Sequence, residues 1–202
     1  MTDWNSLERP DCVTRVYHFP SISSTNDWAH QYLAQHRLAT NETILVVADR
    51  QTAGRGRGNH QWWSPDGLLA LSLLVSWERI GFSRATSAAL SEHVAQAVKN
   101  AIIKQLEMSS EANNTQWHTT VVVKQPNDIY IYGKKIAGIL IESPNTHDLI
   151  IGIGINVNND ISNAPEGLRN SIISLKDIIK RDTDICLVAE NIIHSIYITQ
   201  FN

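Results

Sequence analysis

Apolar and polar positions along this chain follow two rhythms, and the changes between them mark its elements. The run Thr43-Ile44-Leu45-Val46-Val47-Ala48 is almost wholly apolar and mostly β-branched, and Leu68 to Val75 is another apolar run, rich in leucine, so both read as buried strands. Between Ser83 and Leu106 the apolar residues Ala85, Ala88, Ala89, Val94, Val98, Ile102 and Leu106 recur near a 3.6-residue period, which predicts a long helix covering a sheet. A shorter helix is predicted where Trp28, Tyr32 and Leu33 share a face, capped by Ser24 or Thr25. Further strands are expected at Thr119 to Lys124, Ile129 to Tyr132, Lys135 to Glu142 and Leu149 to Val157. Only Gly133-Lys134 separates the second of these from the third, too little for a parallel crossover, so they form an antiparallel hairpin. Helices are expected again near Leu175 to Lys180 and Asp184 to Tyr197, and the polar stretch Ser109 to His118 reads as a surface loop. Strands mixed with flanking helices, without linker or repeat, predict an α+β fold in a single domain over residues 1–202.

Composition narrows the partners. A chain of 202 residues with 43% hydrophobic content can bury a substantial core. Its formal charge of −3 provides no global positive field for nucleic acid or an anionic membrane. Cys12 and Cys186 lack paired metal-ligand spacing, which suggests a reducing compartment without a structural metal site. The first twenty residues carry Asp3, Glu8, Arg9 and Asp11, and no apolar run approaches the roughly 18 residues of a membrane span. A cytoplasmic location with no membrane partner is the expectation.

Candidate chemistry concentrates after the first strand, in Gln51-Thr52-Ala53-Gly54-Arg55-Gly56-Arg57-Gly58-Asn59-His60-Gln61-Trp62. Glycine permits close backbone approach and arginine offers a planar fork of donors, so the stretch reads as a loop folding over an anion. The glycines also serve as plain turn formers. A P-loop is excluded by the missing Gly-Lys-Ser/Thr, and no following dinucleotide-binding βαβ pattern supports a Rossmann site.

Five motifs then join. Ser24-Thr25-Asn26, Gln51 through Trp62, Lys124-Gln125-Pro126-Asn127-Asp128, Lys135-Ile136-Ala137-Gly138-Ile139-Leu140 and Gly152-Ile153-Gly154-Ile155-Asn156-Val157-Asn158 stand in the order and approximate spacing of the catalytic domain of biotin–protein ligases. The resemblance runs from about Tyr17 to Tyr197. It implies a mixed, largely antiparallel β-sheet packed by helices, the class II aminoacyl-tRNA-synthetase-like catalytic fold shared with lipoate ligases. It also implies two reactions: ATP and biotin form biotinyl-5′-adenylate, and a lysine of a biotin carboxyl carrier protein then takes the biotinyl group.

By the same resemblance, Lys135 contacts the reacting carboxyl and phosphate oxygens, and Arg55 and Arg57 lie on the adenylate-binding loop with Gly54 and Gly56. Thr25 and Gln51, beside Ser24 and Asn26, hydrogen-bond the ureido ring, since a neutral head group needs donors and acceptors without a buried charge. Gly138, Gly152 and Gly154 line the biotin tail or allow close sheet packing. Trp62 packs on adenine, while Trp63 is a support or surface aromatic. Lys124, Asn127 and Asn156 fall on the nucleotide side, and Asp128 positions Mg²⁺ or the triphosphate through water.

Two departures stand out. Asn59-His60 replaces a second Gly-Arg/Lys pair, removing a permanent charge from the loop, and Gln125 stands where the family usually has tryptophan. If position 125 walls the biotin pocket, losing roughly 50–100 Å² of aromatic surface costs on the order of 1–2.5 kcal/mol. The sequence also leads to the expectation of neither a DNA-binding helix-turn-helix domain nor a small SH3-like C-terminal domain, hence no DNA partner, and it leaves room for a homodimer. A lipoate or octanoate ligase or transferase, and a degenerate biotin-binding module, are the alternatives.

Overall fold

The structure, a computed structural model, describes residues 2, 4, 7, 8, 10–109 and 116–198. Seven strands form one sheet: β1 (Arg15–Phe19), β2 (Thr43–Ala48), β3 (Leu69–Ser76), β4 (Val121–Lys124), β5 (Asp128–Ile131), β6 (Lys134–Glu142) and β7 (Asp148–Ile155). Their spatial order is β1-β2-β3-β7-β6-β5-β4. β1 and β2 are parallel, joined by helix α1 (Thr25–Gln35), and every other neighbouring pair is antiparallel. Helices α2 (Ser87–Met108), α3 (Trp117–Thr120), α4 (Glu166–Arg169), α5 (Leu175–Ile179) and α6 (Ile185–Ile198) complete the fold.

Strand alternation sorts the core into two sides. Ile44, Val46, Leu74 and Ile150 pack with Ala29 and Leu33 of α1. Their neighbours Leu45, Val47, Leu73, Val75 and Ile151 pack with Val94, Val98 and Ile102 of α2 and Val188 and Ile192 of α6. Both sheet faces are thus covered, which is why β2 and β3 read as continuous apolar runs.

The α1 side of the sheet then changes character toward one end. In register across β3, β7 and β6 lie Ser72, Gly152 and Leu140, and next to them Ala70, Gly154 and Gly138. The three glycines, Ala70 and Ser72 leave a depression beside the N-terminus of α1.

Three local features differ from the sequence reading. β1 was not anticipated; it is an edge strand with no fully buried residue. The strand expected from Thr119 begins at Val121, because Trp117–Thr120 turn helically and the hydroxyls of Thr119 and Thr120 donate to the Gln116 carbonyl. Of the polar loop expected from Ser109 to His118, residues 110–115 lie outside the described residues. The β5–β6 turn is Tyr132-Gly133, both at positive φ (52° and 75°), as a two-residue type I′ hairpin turn requires.

Candidate active site

The depression is roofed by the segment from Gln51 to Ser64, a narrow hairpin. Gln51 bridges to Ser64 at its base and Arg55 to Gln61 further out; Gly56 N donates to His60 O and His60 N to Arg57 O at its tip. Gly54 is required by packing, since a Cβ there would lie 2.6 Å from the Trp62 carbonyl oxygen. The cavity beneath it is about 280 Å³.

Its neutral end is a hydrogen-bonded chain. Ser24 caps α1, its Oγ accepting from Asp27 N at 3.4 Å. Gln51 Oε1 accepts from Thr25 N (2.8 Å) and Thr25 Oγ1 (3.2 Å), while Gln51 Nε2 donates to Ser64 Oγ. The buried Ser72 hydroxyl lies 2.8 Å from Thr25 Oγ1 and 2.6 Å from Asn26 Oδ1. Asn26 fits there because Gly152 lacks a side chain; a Cβ would stand 2.3 Å from its Oδ1. Asn26 Nδ2 in turn donates to Glu142 Oε2 at 2.8 Å.

A cationic end faces it, and a bulge creates it. Asp128 pairs with Gly138 and Tyr130 with Lys135, so two steps on β5 match three on β6. The extra residue turns Lys135 onto the face of Gly138, where simple alternation would have sent it to the other side. There Lys135 Nζ lies 2.7 Å from Asp128 Oδ1 and 5.3 Å from the centre of a Trp62 ring. Trp62 rests against Gly138 and Gly154, with its buried Nε1 unpartnered. Asn127 Nδ2 donates to Ile139 O at 2.7 Å, which holds the turn before β5 against β6.

The two arginines are in different situations. Arg55 makes a two-pronged contact with Glu142 (Nη1 to Oε1 3.0 Å, Nη2 to Oε2 2.7 Å), and its Nε is 2.6 Å from Asp27 Oδ1. Burial favours protonating Glu142, but the hydrogen bonds from Arg55 and Asn26 outweigh it and hold this carboxyl below its ordinary range. Arg57 is exposed at the cavity mouth, and among the described residues no carboxylate lies within ion-pairing distance of it.

The cavity wall therefore gathers Ser24, Thr25, Asn26, Gln51, Arg55, Gly56, Arg57, Trp62, Asn127, Asp128, Lys135, Gly138, Gly152 and Gly154 from the sequence-derived set. Three of that set lie outside it. Gly54 sits behind Trp62, Lys124 extends over the Tyr130 ring on the surface, and Asn156 is buried under β6, its amide oxygen accepting from Asn159. Gln125 does not wall the cavity either: it is exposed and its amide donates to the Glu92 carboxylate of α2. Trp63 packs near Ile161, Ala164 and Ile172. Ser72, Asp27 and Glu142 were not singled out from the sequence, since the partners of Ser72 and Glu142 lie between 46 and 116 residues away, that of Asp27 lies beyond the rest of α1 and β2, and nothing local marks them.

The sequence model of the biotin/lipoate A/B protein ligase family matches residues 18–156, which hold both ends of this cavity. The chain belongs to that family. Among curated members, the bifunctional ligase/repressor BirA of Bacillus subtilis (strain 168) is 35% identical over 185 residues, covering 88% of this chain and 51% of that protein. The chain thus spans about half the length of that relative. Among solved structures of the family, the biotin protein ligase of Leishmania major in complex with biotinyl-5-AMP superposes with a TM-score of 0.75 at 27% identity, over 93% of this chain and 75% of that one. The Aquifex aeolicus biotin protein ligase in complex with biotin and ATP gives 0.69 at 28% identity, over 91% and 68%. The mixed, helix-packed sheet is the ligase fold of these family members.

Proposed function

We propose that this family member joins biotin to ATP as biotinyl-5′-adenylate and passes the biotinyl group to a lysine of a biotin carboxyl carrier protein. The observation that carries the reading is a single cavity with a neutral donor–acceptor end at Thr25 and Gln51 and a cationic end at Arg57 and Lys135. A urea-like ring suits the first end; a carboxylate meeting a phosphate needs the second. In the first step a carboxylate oxygen of biotin bonds to the α-phosphorus of ATP and pyrophosphate leaves. In the second the carrier amine bonds to the acyl carbon, AMP leaves, and the amine loses a proton. Lys135, held beside Asp128, stabilises the charge that builds between carboxylate and phosphate, and Arg57 retains the mixed anhydride. Trp62 offers a flat surface for the base, and the hairpin that carries it keeps water from the labile anhydride.

Magnesium fits this site as a companion of the nucleotide. Among the described residues no cluster of three or more His, Cys, Asp or Glu side chains is arranged to hold a metal, but Mg²⁺ needs only one or two carboxylates beside substrate phosphates. Asp128 supplies the carboxylate in the cavity wall. Bound there, the ion neutralises phosphate charge. In this reading the partner is a carrier protein in the cytoplasm. No helix of the described residues is long and apolar enough to cross a membrane. The outer strands β1 and β4 offer edges for a homodimer.

The test is to incubate the protein with Mg²⁺-ATP and biotin, lipoate or octanoate, with and without carrier, and to measure adenylate and carrier mass. A biotin-dependent adenylate with a biotin-sized mass increase supports the proposal. Biotin bound without turnover leaves a binding module, and turnover of lipoate or octanoate reassigns the substrate.

A further inference from the structure

The acids that grip Arg55 have no role in the chemistry above. Asp27 belongs to the first turn of α1 and Glu142 ends β6, and neither lines the cavity. Yet Glu142 closes a circuit. From Gln51 the hydrogen bonds run through Thr25, Ser72 and Asn26 to Glu142, and from Glu142 through Arg55 back to the same hairpin, four residues beyond Gln51. A two-pronged carboxylate–guanidinium contact fixes orientation as well as distance. It does so here where packing is sparse: Arg57 is exposed, and a Cβ at Gly58 would meet nothing within 4 Å. Because Arg55 also bridges to Gln61, its placement carries over to Trp62.

Charge points the same way. Asp27 and Glu142 together outnumber Arg55, so this corner is formally −1 before any proton on His30, whose Nε2 lies 3.3 Å from Glu142 Oε2. A guanidinium already shared by two carboxylates adds little attraction for a substrate anion. Among the described residues, Arg57 is the cation at the mouth without an ion-pair partner.

We propose that Glu142 is a positioning residue for the ligase reaction, acting through Arg55 and Asn26. It braces the Gln51–Ser64 hairpin and sets the Asn26 amide so that its oxygen faces Ser72, and it leaves anion retention to Arg57. The inference rests on the proposed biotin chemistry for its kinetic consequence but not for its structural one.

The test combines Glu142→Ala, Arg55→Ala, the double variant and Glu142→Gln with two readouts, biotin-dependent adenylation and amide hydrogen exchange over residues 51–64. Each alanine variant is expected to raise the biotin KM by about tenfold with kcat changed less than about threefold, and the double variant to match the singles, because one unit is broken either way. Exchange at the Gly56 and Trp62 amides rises in all three, and Glu142→Gln, which keeps one acceptor oxygen, falls between. Additive losses, or a kcat defect in Arg55→Ala that Glu142→Ala does not share, overturn the proposal. If wild-type protein forms no biotin adenylate, the proposed function fails, and unchanged hairpin exchange in the alanine variants then separately sinks the brace.

Discussion

A β-carbon on Gly154 would lie 2.5 Å from Nε1 of Trp62, so the indole occupies the room that a side chain on the central strand β7 would need. Gly154→Ala therefore forces the ring outward or distorts β7. Overpacking of this kind costs about 1–3 kcal/mol, and it also displaces the surface assigned to the base. The variant should show a lower urea midpoint and a raised KM for ATP. Gly138→Ala approaches the same ring less closely, at 3.1 Å, and should be milder in both measurements. Equal effects from the two substitutions would mean that the Trp62 ring is not held where the strands place it.

Lys135 owes its position to the bulge opposite Tyr130, and its ammonium is shared with Asp128 at 2.7 Å. Removing it should reduce single-turnover adenylate formation by about 10²–10³-fold, the scale of losing a donor aimed at developing charge. Both partners are about a quarter exposed, so the ion pair itself should contribute under about 1 kcal/mol to stability. Lys124→Ala is the control, because that side chain lies outside the cavity over Tyr130; its adenylation rate should stay within about twofold of wild type. A folded Lys135→Ala protein that forms adenylate normally would exclude the assigned role.

The contrast between these lysines shows how far the sequence carries. Runs such as Thr43 to Ala48 announce strands buried on both faces, and the glycines and arginines after them mark the loop that roofs the cavity. The motif containing Lys135 is legible too, but the face on which Lys135 lies depends on a one-residue slip against β5 that alternation alone gets wrong. Ser72 is a lone hydroxyl in an apolar strand, and it gains meaning only when register sets it beside Gly152 and below Thr25. Thr119 and Thr120 mislead in the other direction, because their β-branched side chains extend the pattern of Val121 to Val123 while their hydroxyls favour a helical turn.

Arg57 is the exposed cation of the cavity mouth, so its substitution should affect retention more than chemistry. With Arg57→Ala, preformed adenylate should escape about tenfold faster in a chase experiment, and the difference should shrink as salt screens the charge. Release at the wild-type rate would remove Arg57 from the role of clamp and return attention to Arg55.

Far from the cavity, Tyr197 of α6 is buried against β2, with its hydroxyl 2.7 Å from Thr43 Oγ1. Burial pushes the phenol up to about 12 from an ordinary value of 10.0, against a smaller opposing effect of the Thr43 hydrogen bond. The folded state thus keeps a proton that the unfolded chain releases first. This contribution is fully present below pH 10 and is lost as the pH rises towards 12, amounting to about 3 kcal/mol across the window. Tyr197→Phe has no proton to lose, so its stability measured by urea unfolding should fall less steeply than wild type between pH 10 and 12. Below pH 10 the variant should be weaker than wild type by about 1 kcal/mol for the missing hydrogen bond. Parallel stability curves through the alkaline range would show that the phenol is not held protonated by the fold.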